Sequence, residues 1–437
     1  MTQFHATRSD AELISARERL LGPKMSTFYE EPVHLVKGDG VWVWDAQGRK
    51  YLDCYNNVPH VGHCHPKVVE AICRQAAKLN THTRYLHEGI IRYVEKLTAT
   101  FDEPLKTAIM TCTGSEANDI ALRMAEAMTG KRGVIATDHT YHGNTTVVAQ
   151  LSMTNRPGTG DGSHVRHVPA PDSYRPLGGE AGDAHARAFA QAIQAQIDDL
   201  ETSGHGFSAL IICPYFANEG FPDLARGFLD PAIEVVRRAG GIIIADEVQP
   251  GFGRIGSHMW GHQRIGMTPD VVTLGKPMGN GHPVAGVVTS MDVMAKFRNS
   301  FRYFNTFGGN PVSCAAAEAV LDVLEEEGLV AQAHDVGAYA CKRLHKLAER
   351  HICIGDVRGS GLFFGAEMVL DRETKEPATA FTKRLVNEMR QEGVLINFLG
   401  INYNVLKIRP SMQFTRENAN LLIHTLDRVL SRVELHP

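Results

Sequence analysis

The chain has 437 residues, 43% hydrophobic and 22% charged, with 45 basic against 49 acidic side chains and a formal net charge of -4. That balance is typical of a soluble globular protein of two or three lobes, and it offers neither nucleic acid nor a charged membrane a complementary surface. Eight scattered cysteines without a C-x-x-C pair, an N-terminus broken by Asp10, Glu12 and Glu18, and no run near the roughly 18 apolar residues of a membrane span predict a cytoplasmic protein.

In chain order, "GVWVWDAQGRKYLD" (40–53) alternates apolar residues around Asp45-Ala46-Gln47-Gly48, the pattern of a β-hairpin. From residue 66 the period changes to that of helices separated by short apolar strands. "KTAIMTC" (106–112) predicts a strand running into the helix "GSEANDIALRMAEAM", whose Ala117, Ile120, Ala121, Met124 and Met128 share one face. "GVIATD" (133–138), "ALIIC" (209–213), "GIIIAD" (241–246) and "DVVTLG" (270–275) are unalternating runs interleaved with helices. Such runs describe a mostly parallel sheet covered on both faces, an α/β architecture. The stretch from Ser152 to Gly182, rich in Gly, Pro, Ser and Asp, reads as a long surface insertion. Beyond "VLDVLEEEGL", helices around 315–350 and 376–392 and strands near "GLFFGAEMV" and "VLKIRP" predict a smaller α+β lobe, against which the hairpin packs. The expected division is 1–65 for the N-terminal segment and hairpin, 66–325 for the large domain and 326–437 for the small one.

Ligands of open parallel sheets bind beyond the carboxyl ends of the strands, and four motifs fall at such ends. Gly114 and Ser115 in "TGSEAN" open a helix, where free N–H groups suit a phosphate. Tyr141 in "DHTYHG" offers a face for an aromatic ligand, with His142 beside it. Asp246 ends a wholly apolar strand, where a carboxylate must be solvated, paired or facing a cation; Glu247 is the solvated member of that pair, and Val248 can cover a ring opposite Tyr141. Lys276, between Gly275 and Pro277 at the mouth of another strand, can shed its proton and act as base or nucleophile. A phosphate cup, a stacking face, a carboxylate and an amine together match pyridoxal 5'-phosphate, with Asp246 at its pyridine nitrogen and Lys276 at its aldehyde. The cluster His60, His63, Cys64 and His65 in "HVGHCHP" has no second segment of ligand spacing, so no metal is expected there, nor at His139 and His142.

In order and setting, "GSEAN", "YHG", "ADEVQPGFGR", "LGKPMGNG" and "NTFGGNP" resemble the class III aminotransferases of pyridoxal-phosphate fold type I, from the hairpin to the final helix. The resemblance implies a homodimer with active sites at the subunit interface, Thr306 reaching the cofactor phosphate of the other subunit, and Gln249 near the cofactor's phenolic oxygen. Many relatives grip a substrate carboxylate with an arginine that, matched along "VLKIRPSM", falls on Lys407. Exchanging that arginine for lysine loses the bidentate fork but keeps a point charge suited to phosphate. Arg409 shares the strand face of Lys407. Pro214 stands where a glutamate is common in the family, leaving Glu219 as the local acidic partner of the basic residues. "LDCYNNVPHVGHCHP", containing Asn57, and "LNTHTRYLHE", containing Arg84, look like the branch that includes ethanolamine-phosphate phospho-lyase. The expected substrate is a phosphorylated amine, phosphoethanolamine first, held by Lys407, Arg409, Arg84, Asn57 and Glu219. The alternatives are transamination with a keto-acid acceptor and elimination from another phosphorylated amine such as phosphohydroxylysine.

Overall fold

The computed structural model describes residues 8–153 and 162–433. Its centre is a seven-stranded sheet in the order Thr107–Thr111, Ala285–Thr289, Val271–Leu274, Ile242–Asp246, Phe207–Ile212, Gly133–Thr137, Val165–Val168. The last five strands run parallel to one another, and Ala285–Thr289 is antiparallel to both of its neighbours. The unalternating sequences follow from burial on both faces. Ile242 and Ile244 pack with Ala117, Ile120, Ala121 and Met124 of the helix Gly114–Thr129, whereas Ile243 and Ala245 join a second core with Phe189, Ile193 and Ile197 of the helix Asp183–Thr202.

The hairpin forms from Trp42–Asp45 and Lys50–Asp53. Asp45 closes it by accepting hydrogen bonds from the backbone N–H of Gln47 (3.0 Å) and Arg49 (2.8 Å), and Gly48 takes the left-handed conformation (φ +82°) that the turn demands. Leu35–Asp39 adds a strand on one side, and Val394–Leu395 from the C-terminal part pairs in parallel with Lys50–Asp53 on the other. A further antiparallel sheet joins Ile354–Ser360, Phe363–Asp371, Val405–Lys407 and Asn397–Leu399. The helical stretch expected at 315–350 is two helices, Pro311–Glu326 and Leu329–Ala348, separated where Gly328 adopts φ +61°.

The surface insertion expected at Ser152–Gly182 needs correction where it is described, residues 154–161 lying outside the described residues. Val165–Val168 is the edge strand of the central sheet, and Asp138 N donates to Val168 O at 2.9 Å. Further on, Lys375 donates to the carbonyl of Tyr174 at 2.8 Å, and Arg175 pairs with Glu367, binding the segment to the C-terminal sheet. Its Gly and Pro content signals turns around a short strand that composition obscures. Among the described residues no helix is long and apolar enough to cross a membrane.

Candidate active site

The four strand-end motifs line one cavity: Gly114, Ser115, Tyr141, His142, Asp246, Val248, Gln249 and Lys276 all face it. The helix Gly114–Thr129 starts on a reciprocal cap, Thr113 accepting from Glu116 N while Glu116 accepts from the N–H of Thr113 (3.0 Å) and Cys112 (2.8 Å). The first-turn amides of Gly114 and Ser115 have no acceptor within the helix, as in any first turn. Ser115 Oγ donates to Asn144 Oδ1 (3.0 Å) and accepts from Asn144 N (3.1 Å), which ties the loop to the helix start. Gly143, at φ +145°, lies so close that a Cβ there would come within 2.5 Å of Ser115 Oγ. The result is a tight cradle at a helix N-terminus, suited to a phosphate.

Asp246 is buried at the end of its strand. Its Oδ2 meets His142 Nδ1 at 2.6 Å and accepts from Asn118 Nδ2 at 3.0 Å, and its Oδ1 accepts from Val248 N at 3.0 Å. Burial raises the carboxyl's pKa, but the hydrogen bonds and the His142 interaction outweigh it, so the group is held below its ordinary value and stays ionised. Asn118 also donates to the carbonyl of His142 (2.7 Å) and accepts from Thr273 Oγ1 (2.6 Å). Sequence reasoning passed over this residue. Its signal is a polar side chain four positions after Gly114, amid a helix face of alanine and isoleucine. Cys213, which also lines the cavity, was likewise not singled out.

Glu247 is not the solvated partner expected of it. It is fully buried, accepting from the N–H of Gly261 (2.9 Å) and His262 (2.7 Å) and meeting His262 Nδ1 at 2.8 Å. Side chains alternate, so the residue after Asp246 turns away from the cavity into the protein.

Lys276 begins a single helical turn after the strand Val271–Leu274 and extends into the cavity. Desolvation and the charge of Arg409 depress its pKa, with Asp246 opposing. Val248 packs on the backbone of Gly114 and Gly275 and, with Tyr141, flanks the space where a planar ring fits. Phosphate cradle, ionised acid, depressed amine and flanking side chains therefore fit pyridoxal phosphate.

Lys407 and Arg409 are buried, 5% and 4% exposed. Both donate to a single acceptor, Gln249 Oε1, Lys407 Nζ at 3.0 Å and Arg409 Nη1 at 2.5 Å. Gln249 Nε2 donates to Asn218 Oδ1 at 3.0 Å. Among the described residues neither cation forms an ion pair with a carboxylate. Arg409 Nε is buried without a partner. Desolvation and the nearby charges of Arg409 and Lys276 hold the Lys407 ammonium well below its usual range, while burial brings Arg409 down only to about 10, leaving it charged at neutral pH.

Glu219 does not pair with these cations. Its carboxylate accepts from Thr137 Oγ1 (2.6 Å) and Asn218 N (3.0 Å), and burial raises its pKa. Asn57 is buried, donates to the carbonyl of Gln249 at 3.3 Å, and keeps Oδ1 without a partner. Arg84 and Thr306 stand apart from the cavity of this chain, both exposed. The guanidinium of Arg84 lies 3.7 Å from the centroid of the Phe304 ring, two residues from Thr306. The histidines of "HVGHCHP" have separate partners: His60 meets Phe252 O (2.7 Å), His63 meets Asp53 (2.8 Å) and His65 meets Glu327 (3.1 Å).

Several known proteins are similar to this chain in sequence or in fold. An alanine–glyoxylate aminotransferase 2-like protein of Drosophila melanogaster is 41% identical, covering 94% of this chain and 85% of its own length. An ethanolamine-phosphate phospho-lyase homolog of Caenorhabditis elegans is 35% identical over 97% of this chain and 94% of its own. Among solved structures, a phospholyase from Arthrobacter in complex with phosphoethanolamine is 43% identical, with a TM-score of 0.92 over 97% of this chain and all of the other. The sequence profile described as aminotransferase class-III matches residues 26–430, and the chain belongs to the class III aminotransferase family.

Proposed function

We propose that the protein is a phospho-lyase that eliminates phosphate from O-phosphoethanolamine, yielding acetaldehyde, ammonia and phosphate. The observation that carries the reading is the buried pair Lys407 and Arg409, which shares one neutral oxygen and has no carboxylate partner among the described residues. Two desolvated cations are costly unless an anion meets them. A substrate phosphate supplies two negative charges and three terminal oxygens, whereas a carboxylate supplies one charge. The likeness to the Arthrobacter phospholyase supports the same substrate.

The family depends on pyridoxal phosphate, which when bound supplies an aldehyde to hold the substrate amine and a ring to accept electrons as a proton leaves. Gly114, Ser115 and Gly143 would hold its phosphate, and the ionised Asp246 would face its ring nitrogen and favour its protonated form. Lys276, with its depressed pKa, takes the proton from the carbon bearing nitrogen. The C–O bond on the adjacent carbon then breaks, and its electron pair leaves with phosphate. Lys407 and Arg409 hold that leaving group and stabilise the charge it carries off. Addition of one water completes the balance to acetaldehyde and ammonia, with no keto acid consumed. A homodimer in the cytoplasm, with Thr306 of the partner subunit at the cofactor phosphate, completes this proposal.

The aminotransferase names of the Drosophila and human relatives, 41% and 34% identical, favour a second reading in which Lys276 returns the proton and a keto acid accepts the amine. Incubation of the holoenzyme with phosphoethanolamine alone separates the two. The proposal predicts sustained release of inorganic phosphate without pyruvate, glyoxylate or 2-oxoglutarate. Turnover only after a keto acid is added would assign the enzyme to transamination.

A further inference from the structure

Gln249 joins the cofactor cavity to the two cations. It lines the cavity, whereas Lys407 and Arg409 do not, and both cations donate to its Oε1. Its Nε2 is bound to Asn218 Oδ1, so the amide orientation is fixed at both ends. Beyond Gln249 Oε1 the two side chains reach one further acceptor, the neutral carbonyl of Tyr55, 3.4 Å from Arg409 Nη2. A neutral carbonyl leaves two positive charges uncompensated, and Arg409 Nε, in a side chain at least nine-tenths buried, has no acceptor.

We propose that the Gln249 side chain is a resident occupant of the anion subsite: its Oε1 stands in for a phosphate oxygen, and the substrate phosphate must displace it to reach Lys407 and Arg409. This rests on the phospho-lyase reading above and adds a specificity device to it. An incoming group repays the loss of the Gln249 hydrogen bonds only by offering more acceptors and more charge than the amide did. A tetrahedral dianion does so, reaching both cations and Arg409 Nε. A carboxylate offers one charge to a site holding two, and so competes less well with Gln249. Gln249 thereby raises the threshold against amino-acid carboxylates without itself touching the reacting atoms.

The test is calorimetric titration of inorganic phosphate, with acetate as a carboxylate control, into the holoenzyme with the cofactor's own phosphate subsite filled. Removal of the resident oxygen should tighten phosphate binding: Gln249→Met and Gln249→Ala are each expected to lower the Kd about fivefold, the equivalent of one net hydrogen bond. They should also narrow the preference for phosphate over acetate. Gln249→Glu, which places a permanent anion against the cations, should weaken phosphate binding at least tenfold. A merely structural lesion does not improve affinity, so tightening in either neutral variant separates displacement from general damage, with cofactor absorbance confirming that each remains loaded. Phosphate binding that is unchanged or weaker in both neutral variants overturns the displacement role, and the lyase reading stands if the wild type still releases phosphate. A wild-type holoenzyme that neither binds phosphate nor releases it from phosphoethanolamine overturns both.

Discussion

Lys407 and Asp246 are both buried, but their surroundings act on their charges in opposite ways. Asp246 is buried, yet three hydrogen-bond partners keep it ionised. Lys407 is equally buried but faces Arg409 and Lys276, so its proton is weakly held. Two predictions belong here. Replacing Lys407 with Met should raise the KM for phosphoethanolamine at least tenfold, the scale of a lost charge-assisted hydrogen bond, while cofactor absorbance is retained; an unchanged KM would remove Lys407 from the subsite. The second concerns protons. The folded-state pKa of Lys407 lies below its unfolded value, so between the two the unfolded chain binds one more proton than the folded one. The cost of burying this lysine is therefore fully present below the folded value and is relieved as pH rises toward 10.5. An arriving dianion reverses the shift, so phosphate binding at mildly alkaline pH should take up protons. Calorimetry in buffers of different ionisation enthalpy reads this directly, and Lys407→Met should abolish the uptake.

The segment that carries the two cations is held by a third one. Arg254 is fully buried, donating to the carbonyls of Pro410 (2.6 Å) and Leu362 (3.1 Å) and to His60 Nδ1 (3.0 Å). Because His60 Nδ1 accepts, its Nε2 carries the hydrogen donated to Phe252 O. Arg254→Leu strands two carbonyls and a ring nitrogen, so it should cost roughly 3 kcal/mol or more, read as a lowered thermal midpoint. At the phosphate cradle, Gly143→Ala introduces a Cβ 2.5 Å from Ser115 Oγ at φ +145°, so cofactor should dissociate faster on dialysis, with a loss of about tenfold or more in affinity. Much of this scale was legible in the sequence. Apolar runs such as Ile242–Ala245 and the helix face of Ala117 and Ile120 gave strands and helix, because burial on both faces leaves no alternation to misread. Val165–Val168 was not legible, since its residues "VRHV" sit between Gly- and Pro-rich turns and its pairing is decided by the distant strand Gly133–Thr137. Glu247 and Asn118 were missed for a related reason: which way a polar side chain turns from a strand or helix end depends on partners, His262 and Asp246, far along the chain.

Across the whole molecule, chemistry is drawn from widely separated segments. The helix at Gly114, the loop at Tyr141 and the strands ending at Asp246 and Leu274 meet at one cavity, and Gln249 joins it to the C-terminal segment that carries Lys407 and Arg409. Their convergence beyond the carboxyl ends of parallel strands was readable from sequence, whereas the shared acceptor between Lys407 and Arg409 was not, because it needs a tertiary contact spanning 158 residues. Thr306 and Arg84 stay outside this cavity and exposed, which the proposed dimer accounts for. Light scattering should give twice the chain mass, and Thr306→Ala should weaken cofactor retention without changing that mass. The central claim is that phosphate leaves by elimination, and product stoichiometry tests it most directly. Holoenzyme given phosphoethanolamine and no keto acid should yield phosphate, acetaldehyde and ammonia in equal amounts over many turnovers, with the cofactor still in its aldehyde form. A single burst that converts the cofactor to its amine form and stops until a keto acid is added would contradict the account.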